Sequence, residues 1–312
     1  MLPRLSQTPR TPSSSLCPLI YMLSTHSNKR LLTLLNEIHI WLVYERLLIK
    51  SLFDNTGHRL LMLMTEHVVH YPLGLGRKDV VGVGITALVA RLDAVVKFSR
   101  PDNFKFLARE ELVYQRLGPD SGILRYIGRV DNALILEYAY NGSIRQYLAR
   151  QRKPIPLPLK LRWVEQITKV VCFIHSKHVL HGDISCNNIF LDKDLNAKLG
   201  DFAGSAIDEL PPLICYETSH ELPGQDISKK SELFALGSTF YEIMTGSKPC
   251  KDLSDQQICD AFTEGRFPNL DSLDVCKKII TRCWTQGYAS ADELLEDVKS
   301  EGIDFPRLRI YY

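Results

Sequence analysis

The residues best equipped to do chemistry lie in His181-Gly182-Asp183-Ile184-Ser185-Cys186-Asn187-Asn188 and, thirteen residues after Asn188, in Asp201-Phe202-Ala203-Gly204. Asp183 offers a carboxylate able to receive or orient the proton of a hydroxyl, and Asn188 offers a carboxamide oxygen to a metal ion. Asp201 supplies a second carboxylate, a hard oxygen ligand suited to a divalent cation such as Mg²⁺. Between them, Ile189-Phe190-Leu191 and Ala197-Lys198-Leu199 flank the polar turn Asp192-Lys193-Asp194-Leu195-Asn196, a pattern that predicts a hairpin holding both acidic groups at one cleft.

Groups of this kind need a rigid frame, and 312 residues with 45% hydrophobic and 24% charged content can bury one large core or two lobes sharing a cleft. From about Asp79, the runs Val80-Val81, Ile85-Thr86-Ala87-Leu88-Val89 and Ala94-Val95-Val96-Lys97-Phe98 predict a meander of three strands. A helix is expected from Asp102 to about Leu117, with Leu107, Glu110, Tyr114 and Leu117 in steps of three and four. Glu110 then sits on the inward stripe, while Glu111, turned about 100° away, faces the surface. Strands return at Leu124-Arg125-Tyr126-Ile127 and at Ala133 to Tyr138, after which Asn141-Gly142-Ser143 opens a mainly helical half. Its stripes are Leu161, Val164, Ile167, Val171, Ile174 and Leu233, Leu236, Phe240, Ile243. The expected architecture is α+β, with a small β-rich lobe over 76–138, a larger α-helical lobe over 139–305 and a short tail, 306–312.

A formal charge of +2 gives no basic field that argues for nucleic acid. Eight cysteines without a Cys-x-x-Cys pairing fit reduced thiols inside a cell, and Cys186, lying within the first motif, is expected to be the more accessible of them. Residues 1–75 read as an extension: 1–30 are rich in Ser, Thr and Pro, basic and without acidic residues, which suits an unstructured segment and also a mitochondrial presequence. The apolar runs in 31–64 predict a helix, but Glu37, His39, Glu45 and Arg46 interrupt it, so no transmembrane span is expected and the location is read as intracellular and cytoplasmic.

In order and spacing these motifs resemble eukaryotic-type protein kinases across roughly residues 79 to 300, and more narrowly the divergent kinase-like proteins of fungal genomes. The resemblance implies a bilobal kinase fold that uses ATP and Mg²⁺ to phosphorylate a protein or peptide substrate, with Ser/Thr hydroxyls preferred over Tyr. It casts Gly82, Gly84 and Val89 as nucleotide-binding residues of the glycine-rich phosphate loop, and Lys97 as the lysine on the α- and β-phosphates paired with Glu110. Glu137 and Ala139 fall in the segment whose backbone reads the adenine edge, Asp183 becomes the catalytic base or hydroxyl orienter, and Asn188 and Asp201 the metal ligands. Leu233-Phe234-Ala235-Leu236-Gly237-Ser238 and Cys283-Trp284 resemble the large lobe's central helix and its terminal Cys-Trp pair.

The departures shape the expected activity. Ala87 replaces a third glycine, and Gly182 replaces the arginine that receives a phosphorylated activation segment in the family, so phosphorylation-independent activity is expected. Replacing Ser205, Tyr216, Thr218 and Ser219 together should then preserve transfer. Ser185 stands where a phosphate-contacting lysine is usual, which predicts slow turnover. Glu221-Leu222-Pro223 is at most a remnant of Ala-Pro-Glu, and Glu232 replaces the aspartate that begins the central helix. Two other readings stay open: a pseudokinase scaffold that binds nucleotide without transfer, and a small-molecule phosphotransferase, since His-Gly-Asp also occurs in aminoglycoside- and choline-kinase relatives.

Overall fold

A computed structural model of the chain describes residues 79–83 and 88–303. The stretch 1–75, Gly84 to Ala87 and the tail 306–312 lie outside the described residues. The chain divides into two compact units, Met1–Leu92 and Asp93–Tyr312. In the first, β1 (Val80–Val83) and β2 (Leu88–Ala90) pair antiparallel with Gly82 opposite Val89. A Cβ on Gly82 would lie 3.5 Å from that of Val89, an ordinary contact, so space alone does not demand glycine there.

The second unit opens with β3 (Ala94–Phe98), β4 (Tyr126–Val130) and β5 (Ala133–Glu137), an antiparallel sheet in the order β3-β5-β4. The expected meander is therefore incomplete: β3 takes β5 as its partner, with Lys97 opposite Leu134. Alternation along β5 sends Leu134 and Leu136 into the core. The strand expected from Leu124 begins later, because the Leu124 N–H donates to the Leu199 carbonyl at 2.8 Å instead of joining this sheet.

Helix α1 (Phe104–Leu117) follows a 3₁₀ turn over Pro101–Asn103, which takes up the first residues of the expected helix. Its inward face is Leu107, Glu110, Val113, Tyr114 and Leu117, and Gly118, at φ +67°, ends it by donating to the Tyr114 carbonyl. Helix α2 (Ile144–Arg150) starts at a capping box: the Ser143 hydroxyl accepts from the Gln146 N–H, and the Gln146 side chain accepts from the Ser143 N–H. Helix α3 (Leu157–Ser176) begins where Pro158 can occupy a first-turn position, and buries Leu159, Trp163, Val164, Ile167, Val170, Val171 and Ile174. Leu161, on the expected stripe, is only half-buried.

Four short strands follow: β6 (Val179–Leu180), β7 (Ile189–Leu191), β8 (Ala197–Leu199) and β9 (Ala206–Ile207). The β7–β8 hairpin forms with Ile189 opposite Leu199. Its turn closes on the Asp192 carboxylate, which accepts from the N–H groups of Asp194 and Asn196, while Trp163 Nε1 donates to the Leu195 carbonyl at 2.8 Å. β6 pairs with β9, fixing the chain before Asp183 to the chain after Asp201. Helix α4 (Lys229–Thr245) is buried almost all round, as a central helix must be, and α5 (Asp255–Thr263), α6 (Lys277–Trp284) and α7 (Ala291–Ile303) complete the unit. α3 packs on α7 and α4 on α6. Gly237 allows the second approach, since a Cβ there would lie 2.6 Å from the Cys283 Cβ; Trp284 Nε1 donates to Ser238 Oγ nearby. Among the described residues no helix is long and apolar enough to cross a membrane.

Candidate active site

β3 presents Lys97 and α1 presents Glu110, and the ammonium lies 2.6 Å from Glu110 Oε2 while donating to Asp201 Oδ1 at 2.7 Å. Burial works against the charge on Lys97, but the Glu110 and Asp201 carboxylates outweigh it and raise its pKa. Burial raises that of Glu110, partly offset by Lys97; burial is overridden at Asp201, whose carboxyl Lys97 holds below the ordinary value. Glu111, expected to face the surface, is half-buried and engaged. It accepts from the Tyr126 hydroxyl at 3.0 Å and pairs with Arg129, so it fastens α1 to β4.

The loop between β6 and β7 is held from beneath. Glu232, buried at the start of α4, accepts the Gly182 N–H at 2.9 Å and meets His175 Nε2 at 2.5 Å, so the glutamate that replaces aspartate here reaches the loop backbone. Gly182 has φ +79°, a region glycine enters without Cβ strain. His181 takes the Asp183 N–H on Nδ1 and contacts the Gly200 carbonyl through Nε2, which joins the two motifs by their backbones. Asn188 Nδ2 donates to both the carbonyl and the carboxylate of Asp183, at 2.8 and 2.7 Å. Its Oδ1 keeps no partner among the described residues. Burial raises the pKa of Asp183 in spite of His181 and Asn188. Cys186 is fully buried, its thiol directed at the Thr239 carbonyl, which corrects the expectation of access; Cys215 is the exposed cysteine among the described residues.

Asp201 sits at φ +62°, a left-handed conformation that Asp tolerates better than most residues. Phe202 is buried and belongs to a column of rings, Tyr126 on Tyr114 at 5.6 Å, Tyr114 on Phe202 at 5.3 Å and Phe202 on His181 at 5.0 Å, running from sheet to loop. The Tyr114 hydroxyl is buried within that column, near the Asp201 backbone but with no partner in good hydrogen-bond geometry among the described residues. Tyr114→Phe should therefore leave stability unchanged or raise it by up to about 1 kcal/mol in urea unfolding; a clear loss would mean that the hydroxyl has a partner.

The segment after Asp201 is closely fitted. Leu213 N–H bonds the Gly204 carbonyl, and a Cβ on Gly204 would fall 1.9 Å from Ile214 Cγ1. Ser205, Tyr216 and Ser219 are buried, their hydroxyls meeting the His181 carbonyl, Ser231 and His220. The fourfold replacement expected to spare activity would thus disturb packing as well as remove hydroxyls; only Thr218 among the four is partly exposed. Sequence reading missed the cluster next to it, where the Arg145 guanidinium joins Glu217 to Glu242. Buried His220, 3.2 Å from Glu217, completes it, and burial lowers that imidazole to about 4, so it is neutral at neutral pH. These partners come from α2, the segment and α4, separated too far along the chain for any local pattern to announce them.

Lys97, Glu110 and Asp201 thus form one contiguous set, and Asp183 with Asn188 another, linked through His181. Glu137, expected to contribute only backbone, uses its side chain on Lys198 at 2.9 Å and on the Arg125 N–H, while the Ala139 N–H has no partner among the described residues. Gly82 and Val89 face each other in the first unit, and Gly84 lies outside the described residues. The donor set fits Mg²⁺, which favours oxygen ligands: Asn188 has committed its nitrogen and kept Oδ1, and Asp201 has engaged Oδ1 with Lys97.

Comparison with known proteins places residues 95–291 under a family model described as protein tyrosine and serine/threonine kinase. The Aurora kinase of Schizosaccharomyces pombe is 30% identical over 163 residues, which cover 47% of this chain and 44% of that protein. The probable serine/threonine-protein kinase gdt8 of Dictyostelium discoideum is 26% identical over 213 residues, 61% of this chain and 16% of its own length. The tyrosine-protein kinase SPK-1 of Girardia tigrina is 27% identical over 171 residues, 48% of this chain and 34% of its own. The chain spans less than half the length of these relatives.

Proposed function

The chain belongs to the protein tyrosine and serine/threonine kinase family, with that family's α+β fold, and from this premise we propose that it transfers the γ-phosphate of ATP to protein Ser or Thr hydroxyls, slowly and without phosphorylation of its own segment after Asp201. The observation that carries the reading is the convergence of Lys97, Glu110 and Asp201 on one side and Asp183 with Asn188 on the other, joined by His181. Asp183 orients the attacking hydroxyl and receives its proton as oxygen bonds to the γ-phosphorus and the bond to the bridging oxygen of ADP breaks. Asn188 keeps that carboxylate aimed, and Lys97, held by Glu110, fixes the α- and β-phosphates. Asn188 and Asp201 would hold Mg²⁺, which neutralises phosphate charge. The N–H of Ala139, without a backbone partner among the described residues, supports backbone recognition of the adenine edge. Ser205, Tyr216 and Ser219, already buried and bonded, support independence from phosphorylation.

A purified full-length chain given labelled Mg-ATP and a mixed peptide panel, with Asp183→Ala as control, tests this. Transfer lost in the folded control supports a kinase and reveals its hydroxyl preference; nucleotide binding without transfer in the wild type supports the scaffold reading. That second reading has an observation of its own, since Ser185, which stands where the family usually has a phosphate-contacting lysine, is buried and uncharged.

Because burial raises the pKa of Asp183, the acid limb of the rate profile should lie above that of an ordinary aspartate, with transfer rising as pH climbs through it. A kcat/KM profile flat down to the ordinary carboxylate range would remove Asp183 from the role of base.

A further inference from the structure

Arg109, next to Glu110 on α1, is buried, and its Nη1 donates to two backbone carbonyls, Ser205 at 2.5 Å and Pro211 at 2.7 Å. No carboxylate faces it in an ion pair among the described residues. A buried guanidinium with only neutral partners is a costly arrangement, tolerated where its hydrogen bonds hold something in place. What it holds is the stretch that carries β9, gripped on both sides of the strand and itself tied by backbone bonds at Ser205 to Phe202 and at Ile207 to Leu210. Seven residues along the same helix face, Arg116 grips Asp208 with both terminal nitrogens, at 2.8 and 2.5 Å. Two arginines on one stripe of α1 therefore clasp the segment 205–211, and Glu110 lies beside the buried one.

We propose that Arg109 is a positioning residue for the Lys97–Glu110 pair, clasping α1 to the segment after Asp201 through neutral carbonyls so that no phosphate is needed to seat Glu110; this rests on the kinase reading above. The clasp needs hydrogen-bond donors rather than a planar fork, because its acceptors are single carbonyl oxygens and not a carboxylate or phosphate.

The test uses the full chain as Arg109→Met, Arg109→Lys, Glu110→Gln and the Arg109→Met/Glu110→Gln double variant, measuring kcat, KM for Mg-ATP and amide hydrogen exchange. Arg109→Met should lower kcat about 10- to 100-fold, with faster exchange confined to residues 104–117 and 205–213, and Arg109→Lys should restore most of both. The double variant should be no slower than Glu110→Gln alone, since Arg109 acts through Glu110. Losses that multiply in the double variant, or wild-type kcat and exchange in Arg109→Met, overturn the proposal. If Arg109→Met does not fold, Arg109→Gln, which reaches one carbonyl at most, takes its place with the same criteria. If the wild type transfers no phosphate, the kinase reading fails by itself, and exchange decides the clasp: unchanged protection in both segments sinks it.

Discussion

Replacing Asp201 by asparagine is expected to reduce phosphate transfer about 10²- to 10³-fold while the protein remains folded. Asparagine is the informative choice because residue 201 has φ +62°, which Asn adopts at least as readily as Asp, whereas Ala would add strain of its own. The amide still reaches Lys97, so the substitution removes charge and little else. Lys97 then faces one carboxylate instead of two, and the oxygen set proposed for the cation loses its anion. The carboxyl also matters to stability. Although burial opposes it, Lys97 holds Asp201 below the ordinary value, so the pair stabilises the fold at neutral pH and that contribution disappears as pH falls through the lowered value. Steady-state transfer beside thermal unfolding at pH 7 checks both parts; an Asp201→Asn protein with wild-type kcat would end the metal assignment for this residue.

Glu232→Ala should destabilise the protein by about 1 to 3 kcal/mol for each buried polar group it leaves unsatisfied. The side chain is fully buried, and its removal strands two donors or polar groups at once, the Gly182 N–H and His175 Nε2, in a place water does not reach. Because Gly182 precedes Asp183, the loss should appear in catalysis as well as in folding. Urea unfolding gives the first quantity and transfer at a temperature where the variant is folded gives the second. A loss under about 1 kcal/mol would show that the loop is held by other contacts.

Much of the frame was legible because it is written in local periodicity. The run Ala94–Phe98 forms β3 with those bounds, the polar turn at Asp192 to Asn196 sits between paired strands, and the stripe of α1 singled out Glu110, which is the carboxylate that meets Lys97. What stayed hidden depends on partners distant in sequence. The position of Glu111 on its helix was read, yet nothing local showed that Tyr126 and Arg129 would come to it. Arg145 could not be matched to Glu217 and Glu242, nor Arg109 to the carbonyls of Ser205 and Pro211, because such pairs have no spacing to recognise. Cys186 was misjudged for a related reason: a motif that carries chemistry on one side was taken as open on all sides, but the side facing α4 is packed shut.

The close fit of Gly204 against Ile214 reaches beyond this molecule to its lineage. With a Cβ placed 1.9 Å from Ile214 Cγ1, any enlargement at 204 requires a smaller neighbour at 214. The two positions should drift as a couple among descendants of this sequence, so that each substitution is neutral only in the company of the other.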